Sequence, residues 1–109
     1  MQDADLVFYV RLDLKPESVQ EWRAAVLTVI ERMSQERAFV SCSLHQDLNE
    51  PTCYTLYERW REPSVEAFIK HQFEGKDYRQ DYEARLPGML RTPRAPTVLR
   101  LIQEWRQRS

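Results

Sequence analysis

The chain has 109 residues, of which 42% are hydrophobic and 30% charged, with a formal net charge of -1. That length suits one domain over 1–109, with its core over about residues 5–104. Near-neutral charge excludes a strongly basic nucleic-acid face, and no apolar run reaches the ~20 residues of a membrane-spanning helix. The thirteen arginines and three lysines are interleaved with acids, as on a solvated surface. Residues 1–5 are polar and acidic, unlike a secretory leader, so a cytoplasmic location is expected. Cys42 and Cys53 lack a CxxC spacing and read as free thiols.

Leu6, Phe8, Val10, Leu12 and Leu14 recur at period two and define a strand with one dry face. Val7 and Tyr9 make half of the other face apolar as well, so that face is expected to meet something, such as another subunit. Lys15-Pro16-Glu17-Ser18 opens a helix, with Pro and acids in the first turn. Val19, Trp22, Val26, Val29, Ile30 and Met33 then form an apolar stripe, and the helix is expected to run to about Gln35. Phe39 to Gln46 reads as a second strand. Leu48-Asn49-Glu50-Pro51 is turn chemistry.

A third strand follows from about Thr52 to Trp60, dense in aromatic and β-branched residues. The short gap makes the two strands an antiparallel hairpin, which also allows Cys42 and Cys53 to meet. Glu62-Pro63-Ser64 opens a second helix, buried through Val65, Phe68, Ile69 and either Gln72 or Phe73. Gly75 is placed to cap it. Asp77 to about Leu86 predicts a third helix with Tyr78, Tyr82 and Leu86 on one face, ended by Pro87-Gly88. Pro93 and Pro96 mark an extended connection. Thr97 to Gln103 predicts the last strand, and the tail from Glu104 is polar except for Trp105.

The order is β-α-β-β-α-α-β. It predicts an α+β protein of the ferredoxin-like split βαβ kind, a four-stranded antiparallel sheet with helices on one face only. The bare face would carry Tyr9, hairpin aromatics and residues of the last strand, a surface suited to a homodimer.

These features together resemble the antibiotic biosynthesis monooxygenase (ABM) family of dimeric α+β barrels. The resemblance runs through Leu14-Lys15-Pro16-Glu17, Leu44-His45-Gln46-Asp47 and Tyr57-Glu58-Arg59-Trp60. It continues with a helix bearing His71, Asp77-Tyr78-Arg79 with Tyr82, Leu86-Pro87 and Pro93-Arg94. It implies a homodimer with a pocket between each sheet and its helices. Some members oxygenate quinols or aromatic polyketides without metal or flavin, relatives degrade haem, and one branch isomerises a sugar phosphate, so fold alone does not assign function.

The resemblance points to Trp60 and His71 as the catalytic pair. The imidazole would take a proton from a phenol, leaving an electron-rich anion for oxygen, while the indole would stack on the ring and exclude water. Tyr57, Tyr82, Tyr9 and Phe68 would line the substrate, with Tyr78 a further hydroxyl. The oxygenating relatives also place an Asn on the first strand, and here Asn49, in the turn, is the sole Asn. Either another polar group such as Tyr9 or Arg11 replaces it, or the chain does not run that reaction.

Glu58 is either a base whose pKa an apolar pocket raises or a structural ion-pair member. His45 is expected to be exposed. Two distant histidines make a poor metal site, and no Gly-rich phosphate loop or Ser-His-Asp signature occurs. The expected activity is a cofactor-independent monooxygenase acting on a small aromatic or quinol. The alternatives are a dimeric binder of a small ligand or haem, and a small-metabolite isomerase.

Overall fold

The computed structural model describes residues 5–107. Residues 1–4, which carried most of the reading of a non-secretory start, lie outside the described residues. Strands β1 (Leu6–Asp13), β2 (Phe39–Gln46), β3 (Cys53–Trp60) and β4 (Ala95–Arg100) form one antiparallel sheet in the order β2-β3-β1-β4. Helices α1 (Val19–Met33), α2 (Val65–Gln72) and α3 (Asp77–Met89) complete the ferredoxin-like α+β fold. No described helix is long and apolar enough to cross a membrane.

The period-two pattern decides which sheet face is dry. Phe8, Val10 and Leu12 on β1 pair with Glu58, Leu56 and Tyr54 on β3, and all six are buried. Trp22 of α1 packs 4.9 Å from the Tyr54 ring, and its Nε1 donates to Tyr82 Oη of α3 at 3.0 Å. That bond satisfies two polar groups inside the core. On β2 the register shifts between Phe39 and Ser41. The extra residue, Val40, brings Phe39 onto the inner face with Cys42 and Leu44, its ring edge-on to Trp60 at 5.3 Å.

Three boundaries differ from the sequence reading. The first helix is a 3-10 turn, Pro16–Ser18, followed by α1 ending at Met33. The third helix runs through Pro87-Gly88 to Met89. Its last turn is held by the end of β1: Lys15 N donates to Met89 O at 2.9 Å, Arg91 N to Asp13 O at 2.8 Å, and Lys15 Nζ to Gly88 O at 2.9 Å. These tertiary bonds outweigh the local cost of Pro near a helix end. The last strand runs from Ala95 to Arg100, starting two residues and ending three residues earlier than expected, and includes Pro96. A proline is tolerated there because β4 is an edge strand. Gly75, at φ 75°, does follow α2 as expected, in the left-handed region that glycine enters without a Cβ clash.

Cys42 and Cys53 do not meet. Cys42 pairs with Glu58 on the helix side, whereas Cys53 pairs with Asp13 in the opposite register, and both are free. Burial, with the Glu58 charge adding to it, pushes the Cys42 thiol up to about 12, so it stays protonated.

Replacing Tyr82 by Phe leaves the buried Trp22 N–H without its acceptor. Stability should fall by about 1–3 kcal/mol, read as a lower urea midpoint at unchanged slope.

Candidate functional site

Between the sheet and α2 and α3, toward the β1–β4 edge, lies a cavity of about 250 Å3. Phe8 and Val10 of β1 and Val98 of β4 form its floor, and Phe68, Ile69 and Phe73 its roof. Val65 and Ile69 are exposed although they lie on the apolar stripe of α2, because the cavity opens beneath them. Ligand sites commonly start at about 300 Å3, so this one suits a ligand of one or two rings.

Two buried charged side chains reach this apolar space. Arg79 enters from the first turn of α3 and is only 5% exposed. Its Cζ lies 4.6 Å from the Phe73 centroid, 5.6 Å from Trp60 and 5.7 Å from Phe68. Such contacts stabilise a cation that has left water. Its Nε and Nη2 are buried and have no hydrogen-bond partner among the described residues. Buried donors are rarely left so, which marks a place for an acceptor that the folded chain does not supply.

Glu58 enters from β3 and is 8% exposed. Burial raises its pKa above the ordinary carboxylate value of 4.5, against the opposing effects of the Trp60 N–H and the charges of Arg79 and Arg94. Trp60 Nε1 donates to Glu58 Oε1 at 3.1 Å and fixes that carboxyl. A third charged group, the Glu83–Arg94 ion pair, closes one end of the cavity.

The Arg79 position is set by its neighbours on α3. Lys76 Nζ and Tyr78 Oη both donate to Glu36, just beyond α1, at 3.0 Å. Tyr82 and Leu86, on the same buried side, anchor the rest of the helix in the core. The first turn therefore cannot rotate to carry Arg79 out to solvent without breaking these contacts.

The structure separates the expected catalytic pair. Trp60 is fully buried behind Phe68 and Arg79 and does not line the cavity. His71 has a side chain 57% exposed, its Nδ1 lies 3.0 Å from Glu62 Oε1, and it does not line the cavity either. The reason is helical phase: Phe68 and Gln72 face inward on α2, and His71 falls outside that arc. Phe68 alone of the expected substrate residues is in the wall.

Tyr82 sits behind the wall, its hydroxyl held by Trp22 and pushed up to about 12 by burial. Tyr9 and Tyr57 pair with each other on the opposite, helix-free face of the sheet, where both are exposed, whereas Val7 of that face is already buried by the chain itself. Arg11 shares that face, paired with Thr55. Asn49 stays in the turn, bonded to Asp47, and His45 is exposed as expected. Neither histidine lines the cavity, so haem would find no axial imidazole there.

A ferredoxin-like sheet with helices on one side and a small apolar cavity between the layers defines the class of protein. A profile of the antibiotic biosynthesis monooxygenase family matches residues 6–85, and the chain belongs to that family. Among solved structures it is similar to Rv0793 from Mycobacterium tuberculosis, with 25% identity over 93% of this chain and 98% of that one and a TM-score of 0.80. It is also similar to a conserved protein from Methanosarcina mazei Go1, at 21% identity over 89% and 92% of the two chains, with a TM-score of 0.77. A further match, an antibiotic biosynthesis monooxygenase, has 16% identity over 90% and 99% and a TM-score of 0.76. No curated protein matches the chain.

The raised Glu58 pKa carries a stability signature. Its neutral form suits the fold, so the native state is favoured below the ordinary value of 4.5 and loses that advantage as pH rises through the folded-state value. Glu58→Gln keeps an acceptor for Trp60 and removes the titration. From about pH 4 to about pH 8 the variant should gain stability relative to the parent, measured by urea unfolding at each pH.

Proposed function

We propose that this protein is a cofactor-independent monooxygenase of a small phenolic aromatic or quinol, with Glu58 and Arg79 as its working pair. The observation that carries the reading is the buried guanidinium with two unpartnered donors beside a buried carboxyl in one apolar cavity. In its ionised form Glu58 takes a proton from the bound phenol or from the activated ring carbon of its keto tautomer. Arg79 then offers N–H donors to the oxygen on which the negative charge settles. The pocket's net charge is unchanged by the transfer, since the proton only moves from substrate to Glu58.

The substrate anion reduces O2 by one electron, and the radical pair joins as a C–O bond. The peroxide takes back the Glu58 proton and loses water, so a ring CH2 becomes a carbonyl. One oxygen atom enters the product and the other leaves as water. The apolar walls keep bulk water from the anion. Trp60 acts here as a positioning residue, holding the Glu58 carboxyl through its N–H.

Oxygen uptake with a hydroquinone panel, coupled to product analysis, tests the reading. Glu58→Gln should lower kcat by about 10²–10⁴-fold. Arg79→Met should lower it by a comparable factor, whereas His71→Ala should stay within about twofold. Uptake lost on His71→Ala and kept in both other variants would return the chemistry to the imidazole.

The proposed assembly is a homodimer through the helix-free sheet face, where Tyr9, Tyr57 and Leu99 are exposed and Ser43 and Thr97 are the cross-strand neighbours of the tyrosines. Placing a charge at its centre, as in Tyr57→Asp, should shift the sedimenting species from dimer to monomer. Sedimentation of the parent chain as a monomer would remove this part of the reading.

A further inference from the structure

A second cavity, of about 370 Å3, lies against the far side of the first. Leu86, Pro87, Leu90 and Pro93 give it apolar walls, with Arg91 and Thr92 at its margin. The two cavities share only Glu83 and Arg94. Those residues bond to each other twice: Arg94 Nη1 donates to Glu83 Oε2 at 2.9 Å, and Arg94 Nη2 donates to Glu83 Oε1. The planar fork-to-fork pair therefore stands as the wall between the cavities.

We infer that the Glu83–Arg94 pair is a partition that sets the size of the aromatic admitted to the site. This rests on the reading of the first cavity as the substrate pocket. With the pair closed, about 250 Å3 holds one or two rings. With it open, a longer ring system continues past Arg79 into the second cavity.

Three features suit the pair to that role. It is half-solvated, with side chains 34% and 25% exposed, so its partners can rehydrate when it opens. Glu83 is fixed on α3 one turn beyond Arg79, and Arg94 follows Pro93 just before β4, so opening needs only the two side chains to swing. A released Arg94 guanidinium can also lie on the face of an extended ring. The same pair influences Glu58, whose pKa Arg94 lowers and Glu83 raises, so removing one member alone also alters the site's charge. A charge-swapped pair keeps both charges and is the proper control.

The test is binding of quinone probes without oxygen, a single-ring benzoquinone and a three-ring anthraquinone, followed by quenching of tryptophan fluorescence. Arg94→Ala and Glu83→Ala should each raise three-ring affinity relative to single-ring affinity by about tenfold or more. The double exchange Glu83→Arg with Arg94→Glu should bring the ratio back toward the parent value. A ratio that stays put in both single variants, with single-ring binding intact, overturns the partition and leaves the substrate pocket standing. Failure of the parent to bind any ring overturns the pocket reading, and the partition with it. Either alanine variant suffices if the other does not fold.

Discussion

The cavity depends on a guanidinium kept inside the protein without full hydrogen bonding. Arg79 lies among Phe73, Trp60 and Phe68 and leaves Nε and Nη2 unmet. Taking such an ion out of water costs several kcal/mol even after the surroundings relax. The aromatic faces offset part of that cost, and Glu58 supplies negative charge when ionised. An apolar side chain of similar length would fill the same space at lower cost. A stability argument therefore does not account for Arg79, whereas a ligand carrying an anionic oxygen, as proposed above, would.

Holding that ion in place is the task of α3, and both of its ends are tied to distant chain. Glu36 receives Lys76 and Tyr78 at the start, and the Asp13–Lys15 segment holds the last turn. The core bond from Trp22 to Tyr82 adds a third fixed point between them. Across the cavity, the period of β3 puts Glu58 and Trp60 on one face, so the indole that buries the carboxyl also bonds to it. Charge and support thus arrive on two rigid elements, which keeps the pair in register without a mobile loop.

Much of this architecture was legible in the residues. Period two in β1, the aromatic and β-branched density of β3 and the helical stripe of α1 gave the layers, because apolar spacing reports directly which face is dry. The limits of α3 and β4 were not legible, because Pro87 and Pro96 are overridden by contacts distant in sequence. The two buried charges that line the cavity were legible through a different signal. Glu58 interrupts the dry register Tyr54, Leu56, Trp60, and Arg79 heads the buried series continued by Tyr82, Leu86 and Met89. A charge standing in an apolar register is the signal, since nothing else on such a face leaves water without a purpose. His71 and Trp60 were expected from the resemblance, by their places at the strand end and on the following helix, and a resemblance of that kind does not fix the phase at which a side chain leaves its helix.

Membership of the family constrains where a site forms more tightly than which residues serve it. Helices cover the sheet on one side only, so any cavity between layers must open where α2 and α3 stop covering it, at the β1–β4 edge. Which chemistry follows depends on the few polar side chains that reach that opening. Here the first strand contributes only Phe8 and Val10, and the polar groups come from β3 and α3 instead. The Asn that the resemblance led one to expect on the first strand would have offered a neutral amide. Arg79 offers a full positive charge to the same space, which favours substrates whose acidity it can raise. The fold therefore provides a dry recess, and on the proposed reading the Glu58–Arg79 pair would make that recess selective for a molecule that can give up a proton inside it.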